Sequence, residues 1–87
     1  MKTFTLEIVT PDGTEPVRHI TSLGVPAEDG RLTLLAHHQP LVCLLRKGTL
    51  VVGNEDGTKE TRDIDEGTMR VTRDGVTLLL RGLTSAP

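Results

Sequence analysis

A glycine that directly follows a charged residue recurs along the whole chain and divides it into short segments. Glycine supplies the positive φ angle that tight turns need, and Asp tolerates that angle better than most residues. Six such pairs precede a seventh, Arg81-Gly82, near the end of the 87 residues: Asp12-Gly13, Asp29-Gly30, Lys47-Gly48, Asp56-Gly57, Glu66-Gly67 and Asp74-Gly75. From Gly48 to Gly75 the glycines of these six pairs are 9, 10 and 8 residues apart. This spacing is typical of short antiparallel strands joined by turns.

Helical periodicity is missing from the chain. No window of eleven or more residues places apolar side chains at helical spacing without an internal Gly or Pro. The best helical candidate, Leu32–His38, contains a β-branched threonine and is followed by Pro40. Period-two alternation is clear instead in the first segment, where Phe4, Leu6 and Ile8 share one face.

Two hairpins are predicted from turn residues that separate β-branched and apolar segments. They are Thr49–Val52 with Thr58–Ile64 around Asn54–Gly57, and Met69–Val71 with Val76–Leu80 around Thr72–Gly75. The segment Thr58–Ile64 is polar, so we expect an outer or edge strand there. A further strand, Val17–Leu23, is expected to end near Pro26.

The predicted fold is all-β, a flattened β-sandwich or barrel of about ten short antiparallel strands in two sheets. We assign this domain to residues 1–82. Residues 83–87 are too few for an element and are expected to form a short tail.

Composition excludes several function classes. Phe4 is the only aromatic residue, so base stacking on single-stranded nucleic acid and aromatic cages for sugars or cations lack their platforms. The net charge of -2 argues against a general nucleic-acid or anionic-membrane binder. We therefore expect no nucleic-acid partner.

The single cysteine, Cys43, excludes an internal disulfide and a zinc site built from several cysteines. It lies in the longest apolar run, Leu41–Leu45, and this setting predicts a small buried hydrophobe rather than a nucleophile. That run is far shorter than the ~20 residues that span a bilayer. Glu7 interrupts any signal-peptide core, so we expect a soluble cytoplasmic protein.

The pair His37-His38 is the most obvious candidate for metal chemistry. Adjacent residues of a strand point to opposite faces, so two neighbouring histidines do not chelate one ion easily. No acidic residue follows until Glu55. Because no nucleophile, phosphate cradle or ligand cluster is present either, we expect a protein without catalytic residues, metal or cofactor.

The stretch Ile20–Leu41 resembles the epsilon subunit of F-type ATP synthases. In that family an apolar strand leads through a loop ending in Gly-x-Leu to a Pro-Gly-His-x-Pro-Leu segment. Matching positions here are Gly30, Leu32, His38, Pro40 and Leu41. Further similar segments are Phe4–Pro11, Lys47-Gly48, Glu66–Val71 and Val76–Leu79. The sequence departs from the family pattern at Arg31, Thr33 and Ala36-His37.

The resemblance implies a ten-stranded β-sandwich that joins the gamma subunit to the membrane c-ring in the rotary central stalk. Such a subunit couples ion transport to ATP synthesis or hydrolysis without being catalytic itself. It lies on the cytoplasmic side of the bacterial inner membrane and is held there only through the complex. The gamma-subunit contacts implied by position are Thr10, His38, Gln39, Val42 and Cys43. The implied contacts with the c-ring loops are Glu28, Asp29, Gly30 and Arg31.

Most members of that family continue into two C-terminal helices, and the helical pattern is not found after Leu80–Leu83. The resemblance therefore leads us to expect no helical inhibitory domain and no ATP binding there. Two alternatives stay open on the residues alone. One is a free-standing β-sandwich that binds a peptide or small ligand, and the other is a metal-dependent jelly-roll enzyme using His37 or His38.

Overall fold

A computed structural model describes residues 2–84, and strands make up most of this range. The ten strands are β1 (Phe4–Thr10), β2 (Gly13–Thr14), β3 (Arg18–Ala27), β4 (Gly30–Leu35), β5 (Leu41–Leu45), β6 (Gly48–Asn54), β7 (Lys59–Ile64), β8 (Gly67–Val71), β9 (Gly75–Leu80) and β10 (Leu83–Thr84). Residues 2–84 contain no helix. The predicted all-β class is confirmed.

The strands form one continuous hydrogen-bonded network that folds into two layers. One layer has the order β4-β3-β6-β7-β10, and the other has the order β5-β8-β9-β1-β2. The long strand β3 joins the layers, because its start pairs with β1 and its last residue, Ala27, pairs with Leu45 of β5. This arrangement is the predicted flattened sandwich, closed along β3.

Strands β1 and β9 are parallel, unlike the other pairs, which are antiparallel as predicted. They are joined by most of the chain rather than by a hairpin, so no turn sequence could indicate their direction. Thr5 of β1 lies beside Gly75 of β9 in this pair. A Cβ on Gly75 would overlap the Thr5 hydroxyl and lie 2.8 Å from the Thr5 carbonyl oxygen. Gly75 therefore permits the close approach of the two strands.

The charged-residue–glycine pairs serve two different purposes in the fold. Positive φ angles are found at Gly13, Gly30 and Gly57, in agreement with turn glycines. Gly48, Gly67 and Gly75 instead begin strands. A side chain at each of these three would press on a neighbour, as with the Pro26 ring 2.9 Å from a Cβ on Gly48. All six pairs lie at connections between strands as predicted, but the positive φ is found in only three of them, because close packing requires glycine as strongly as a positive φ does.

Both hairpins predicted from turn residues are present as β6–β7 and β8–β9. The prediction that Thr58–Ile64 is an outer strand is also confirmed, since within residues 2–84 the short β10 is the one strand on the far side of β7. β10 covers only Asp63 and Ile64 of that strand.

Strand β3 ends at Ala27, one residue after Pro26, so the end predicted near Pro26 is confirmed. The Pro26 carbonyl accepts a hydrogen bond from the Arg46 N–H, so the backbone of Pro26 faces away from β4 and its missing N–H costs that pairing nothing. The predicted tail begins with a strand, because Leu83 pairs with Ile64 and packs against the core. Residues 85–87 of that tail lie outside the described residues.

The core between the layers is aliphatic apart from Phe4 and Met69. Its most deeply buried side chains come from both layers and include Leu6, Ile20, Leu23, Leu50, Met69 and Leu78. No polar or charged residue among those described is fully buried. Alternation along each strand therefore directs apolar side chains inward and leaves polar ones at the surface.

Toward the β6–β7 turn, the inward side chains of β7 are charged and form ion pairs. Arg62 donates two hydrogen bonds to the Glu15 carboxylate, at 2.7 and 2.6 Å. Arg18 donates to both carboxylate oxygens of Glu60, at 3.2 and 3.1 Å, and to the Asn54 side-chain oxygen. These charge-assisted bonds fix the segment before β3 and the first residue of β3 against β7.

Candidate partner-binding surfaces

His37 and His38 do not form a metal site in the structure. His37 is exposed in the turn after β4 and has a φ of 69°, which is uncommon for a residue other than glycine. His38 is half-buried and packs edge-on against Phe4, with ring centroids 5.0 Å apart. No group of three or more His, Cys, Asp or Glu residues within 2–84 is placed to hold a metal ion. The jelly-roll enzyme alternative gains no support.

The two ring nitrogens of His38 are buried, and neither has a hydrogen-bond partner within the described part of the chain. A buried polar atom without a partner has a desolvation cost. His38 is therefore held by its packing on Phe4 rather than by polar bonds.

Cys43 lies on β5 with its side chain on the core side, packed against the buried residues. Burial raises the pKa of the Cys43 thiol. Because a thiol is nucleophilic as the thiolate, this environment favours the unreactive form. The expectation of a small apolar side chain here agrees with the structure, and Cys43 is half-buried against the core.

The predicted c-ring contacts form one tip of the sandwich. Glu28 and Asp29 are the turn between β3 and β4, and Gly30 follows with a φ of 132°. Arg31 lies next in β4, and its guanidinium donates a hydrogen bond to the Thr49 carbonyl at 2.9 Å. All of these predicted residues are exposed.

Three other connections lie at the same end as this turn. The Glu28 N–H donates to the Leu44 carbonyl at 3.1 Å, which brings the β5–β6 connection alongside. The Arg81 N–H donates to the Glu66 carbonyl at 2.9 Å, which ties the β7–β8 and β9–β10 connections together. An open depression of about 420 Å³ separates Glu28 from Lys47 and Glu66. We name this surface the charged end: Glu28, Asp29, Arg31, Arg46, Lys47, Asp65, Glu66 and Arg81.

Only Glu28–Arg31 of the charged end was predicted as a contact surface from the sequence. The signal for the rest was present in the turn pairs Lys47-Gly48 and Glu66-Gly67. Alternate turns of an antiparallel sheet lie at the same end, so the strand count could have grouped them. The pairing of β1 with β9, in contrast, could not be predicted from the order of strands and turns in the sequence.

A second surface lies on the outer side of the layer that contains β5. Leu44 is aligned across the sheet with Thr68, Leu79 and Val9 in turn. Val42 lies two residues before Leu44 on the same face of β5. Its three most exposed members, Val42, Leu44 and Leu79, are 67%, 57% and 49% exposed. We name Val9, Val42, Leu44 and Leu79 the apolar outer face.

The predicted gamma contacts are only partly brought together. Val42 is part of the apolar outer face, and Gln39 is exposed just before β5. Thr10 is at the end of β1, and strands β9 and β8 separate it from β5. Its hydroxyl donates to the Gly13 carbonyl at 3.2 Å in the β1–β2 turn. Leu44, Leu79 and Val9 were missed from the sequence, because their exposure depends on pairing between distant strands.

Across residues 2–84 the structure has no helix of the length and apolar character that crossing a membrane requires.

Residues 3–86 match the profile of a family described as the ATP synthase delta/epsilon chain beta-sandwich domain. A protein from Campylobacter hominis named ATP synthase epsilon chain is 40% identical over 78 residues, covering 88% of this chain and 60% of that protein. A protein of the same name from a Nitratiruptor species is 35% identical over 82 residues, covering 94% of this chain and 64% of that protein. The chain thus spans less than two thirds of the length of these relatives.

Two solved structures have the same fold. A chain of the cryo-EM structure of the Euglena gracilis mitochondrial ATP synthase, described as OSCP/F1/c-ring, gives a TM-score of 0.89 at 21% identity. It aligns with 94% of this chain and 52% of its own length. A chain of the Tetrahymena thermophila mitochondrial ATP synthase central stalk/c-ring gives a TM-score of 0.80 at 9% identity. It aligns with 97% of this chain and 67% of its own length. At these identities the likeness establishes the fold.

Proposed function

The chain belongs to the family of ATP synthase delta/epsilon chain beta-sandwich domains, and from this premise we propose that it is a rotor coupling unit. In this role it joins the gamma subunit to the loops of the membrane c-ring in the central stalk of an F-type ATP synthase. It contributes no catalytic residue and transmits rotation between ion transport and nucleotide chemistry. Its place is the cytoplasmic side of the bacterial inner membrane, where the complex alone retains it.

The observation that carries this proposal is the family match over residues 3–86, which includes both candidate surfaces. The relatives named ATP synthase epsilon chain align with the same part of the chain. A coupling unit must bind two partners at once, and a small sandwich with two chemically different surfaces is suited to that task.

We assign the apolar outer face to the gamma subunit. Val42, Leu44 and Leu79 are each about half or more exposed, which leaves a row of apolar side chains in water. Covering such a row removes apolar area from water, at about 25 cal/mol per Å². A permanent partner surface is the usual reason for a contiguous exposed apolar patch.

We assign the charged end to the loops of the c-ring. It presents acidic and basic side chains in equal number, including the neighbouring pairs Glu28-Asp29 and Arg46-Lys47. Mixed charges of this kind set the register and the choice of partner more than raw affinity. The backbone bonds that tie its turns together, such as Arg46 to Pro26 at 2.7 Å, give these charges a rigid base.

Rigidity is the mechanical requirement of this role. Torque passes without slip only if the domain between ring and stalk does not shear. The two layers here are joined through β3 and through Glu15, whose N–H donates to Ile8 of β1 and whose carboxylate accepts from Arg62 of β7. These links resist sliding of one layer over the other.

The test is co-expression of the chain with the gamma subunit and c-ring of the same organism. We expect stoichiometric co-purification of the three components. The double variant Glu28→Lys with Asp29→Lys should lose the ring while retaining gamma, and the control Glu55→Lys with Asp56→Lys, on the β6–β7 turn, should retain both. Failure of the wild-type chain to bind gamma, or equal behaviour of the two variants, would overturn the proposal.

A further inference from the structure

One edge of β4 has no strand beside it. β4 pairs along its whole length with β3, from Gly30 opposite Ala27 to Leu35 opposite Ser22. No other strand in residues 2–84 pairs with β4. An edge strand presents a row of N–H and C=O groups that another strand can bind.

The direction of the backbone groups follows from bonds on the opposite side of β3. The Arg46 N–H donates to the Pro26 carbonyl at 2.7 Å, and the Glu28 N–H donates to the Leu44 carbonyl at 3.1 Å. Backbone groups alternate sides from one strand residue to the next in an antiparallel ladder. Residues 26 and 28 face β5, so the intervening Ala27 faces β4.

The same alternation, carried across the register, identifies the free groups of β4. Ala27 lies opposite Gly30, so the backbone of Gly30 faces β3. The N–H and C=O groups of Arg31, Thr33 and Leu35 then point away from β3 to the open edge. Each of these three residues is exposed.

This edge lacks the usual protection against strand pairing. On the opposite side of the same layer, β7 is partly covered by β10, and Lys59 lies on the part of β7 that no strand in residues 2–84 covers. Arg31 could protect β4 in the same way, but its guanidinium lies back over the sheet. It donates to Thr49, and its Nη2 would be 3.3 Å from a Cβ on Gly24. Leu35, at the end of β4, is 61% exposed.

The free groups of β4 are complementary to those of a second copy of the same strand. In an antiparallel pair centred on Thr33, Thr33 lies opposite itself, Arg31 lies opposite Leu35, and Leu32 lies opposite Leu34. All three free residues then exchange hydrogen bonds, and the two leucine pairs continue the apolar inner side. Centring on Arg31 would instead oppose two arginines, and centring on Leu35 would leave Arg31 unpaired. The Thr33 register is the favoured one, because it pairs all three free residues with residues of β4 in the second copy.

We propose that two copies of the chain associate through β4, in an antiparallel pair whose two-fold axis passes through Thr33. The interface is isologous, since the same edge serves both copies. A strand edge is far smaller than the standard interface of about 1,600 Å², so the association is weak and depends on concentration. The proposal concerns the free chain and stands independently of the rotor role.

The first experiment is sedimentation velocity over a concentration series of the purified chain. We expect reversible dimerisation in the wild type. Thr33→Pro should raise the dimer dissociation constant by at least about tenfold, since it removes two N–H donors at the axis and places two rings there. Because the Thr33 N–H points away from β3, this variant loses no internal hydrogen bond.

Thr61→Pro is the matched control on the other outer strand. Asn54 donates to the Thr58 carbonyl at 2.8 Å, so Thr58 faces β6 and, by alternation, Thr61 faces away from it. The control thus also removes an outward N–H from an exposed threonine, and it should leave dimerisation unchanged. A monomeric wild type at every concentration, or equal effects of the two proline variants, would overturn the proposal.

Substitutions at Leu35 separate the specific register from general apolar association. Leu35→Glu sets a carboxylate opposite Arg31 of the second copy and should weaken the dimer less than Leu35→Lys does, since the guanidinium has to leave Thr49 to meet it. Leu35→Lys sets an ammonium group there and should weaken it. If Leu35 instead contributes only non-specific hydrophobic association, both variants should weaken the dimer equally, and that result would contradict the proposed pairing.

Hydrogen exchange followed by NMR locates the interface directly. The amide protons of Arg31, Thr33 and Leu35 should gain protection as concentration rises, and those of Lys59 and Thr61 should not. Protection that rises at Val42 and Leu44 instead would assign self-association to the apolar outer face and refute the β4 pair.

Discussion

The ring of His38 shows how a single residue can oppose the stability of the domain that contains it. Its two nitrogens are buried without a hydrogen-bond partner among the described residues, while its edge packs on Phe4. Unpaired buried nitrogens lower stability, and an apolar ring of similar shape would not carry that cost.

We predict that His38→Phe raises the free energy of unfolding of the isolated chain by about 1 kcal/mol, because the aromatic contact is kept and the desolvation cost is removed. Urea denaturation followed by circular dichroism measures this change. His38→Ala is the matched control and should lower stability, since it removes the contact with Phe4. A less stable His38→Phe variant would show that the ring nitrogens do have partners.

The pair of Glu15 and Arg62 makes stability depend on pH. The hydrogen bonds from Arg62 are the main cause that holds the pKa of the Glu15 carboxyl below its ordinary 4.5. A lowered folded-state pKa means that the stabilisation is complete above about pH 4.5 and is lost as pH falls through the folded value. About a third of the Glu15 side chain is exposed, so the pair contributes no more than about 1 kcal/mol.

Glu15→Gln should therefore lower the free energy of unfolding at pH 7 by up to about 1 kcal/mol and leave it nearly unchanged at strongly acidic pH. Thermal unfolding across a pH series tests this. Glu55→Gln, at an exposed site on the β6–β7 turn, is the control and should leave the free energy of unfolding unchanged at both pH 7 and strongly acidic pH. A constant difference between Glu15→Gln and wild type at all pH values would contradict the assigned role of Arg62.

At the scale of elements, the sequence could predict those strand pairs that are specified by residues close together in the chain. The hairpins β6–β7 and β8–β9 follow from their own turn residues, so they were predictable with close boundaries. The parallel pair of β1 with β9 and the β3 link between layers join distant segments. Nothing in either segment alone specifies such a pairing. The positive φ expected at Gly48, Gly67 and Gly75 was wrong for the same reason. At Gly75, for example, glycine is needed because a side chain would overlap Thr5 on the neighbouring strand.

Strand β10 is the element that the sequence failed to predict. Two residues have too little pattern to indicate a strand, but Leu83 pairs with Ile64 and packs against the core. We predict that Leu83→Ala lowers the free energy of unfolding by about 1–2 kcal/mol, below the usual range for a fully buried leucine because Leu83 is only partly buried. Equilibrium urea unfolding checks this, with the exposed Leu35→Ala as control. No difference between the two variants would restore the interpretation of Leu83 as part of a tail.

At the scale of the whole molecule, the two candidate surfaces differed in how far they could be predicted. The turn Glu28–Gly30 of the charged end is local, and the sequence placed it correctly at an exposed tip. The apolar outer face is assembled from β5, β9 and β1, which are far apart in the chain. Alternation marks Leu44 and Leu79 as outward only once the inward residues of each strand are known.

The measurement that tests the central claim most directly is the affinity of the purified chain for the isolated gamma subunit, by titration calorimetry. The variant pair Leu44→Glu with Leu79→Glu places charges on the apolar outer face. Val17→Glu is the control, since Val17 is 55% exposed in the link before β3, away from that face. We predict that the double variant raises Kd at least about a hundredfold, because two apolar contacts are lost and two carboxylates are desolvated. Val17→Glu should leave Kd unchanged, and equal Kd values for wild type and the double variant would contradict the assignment of this face to gamma.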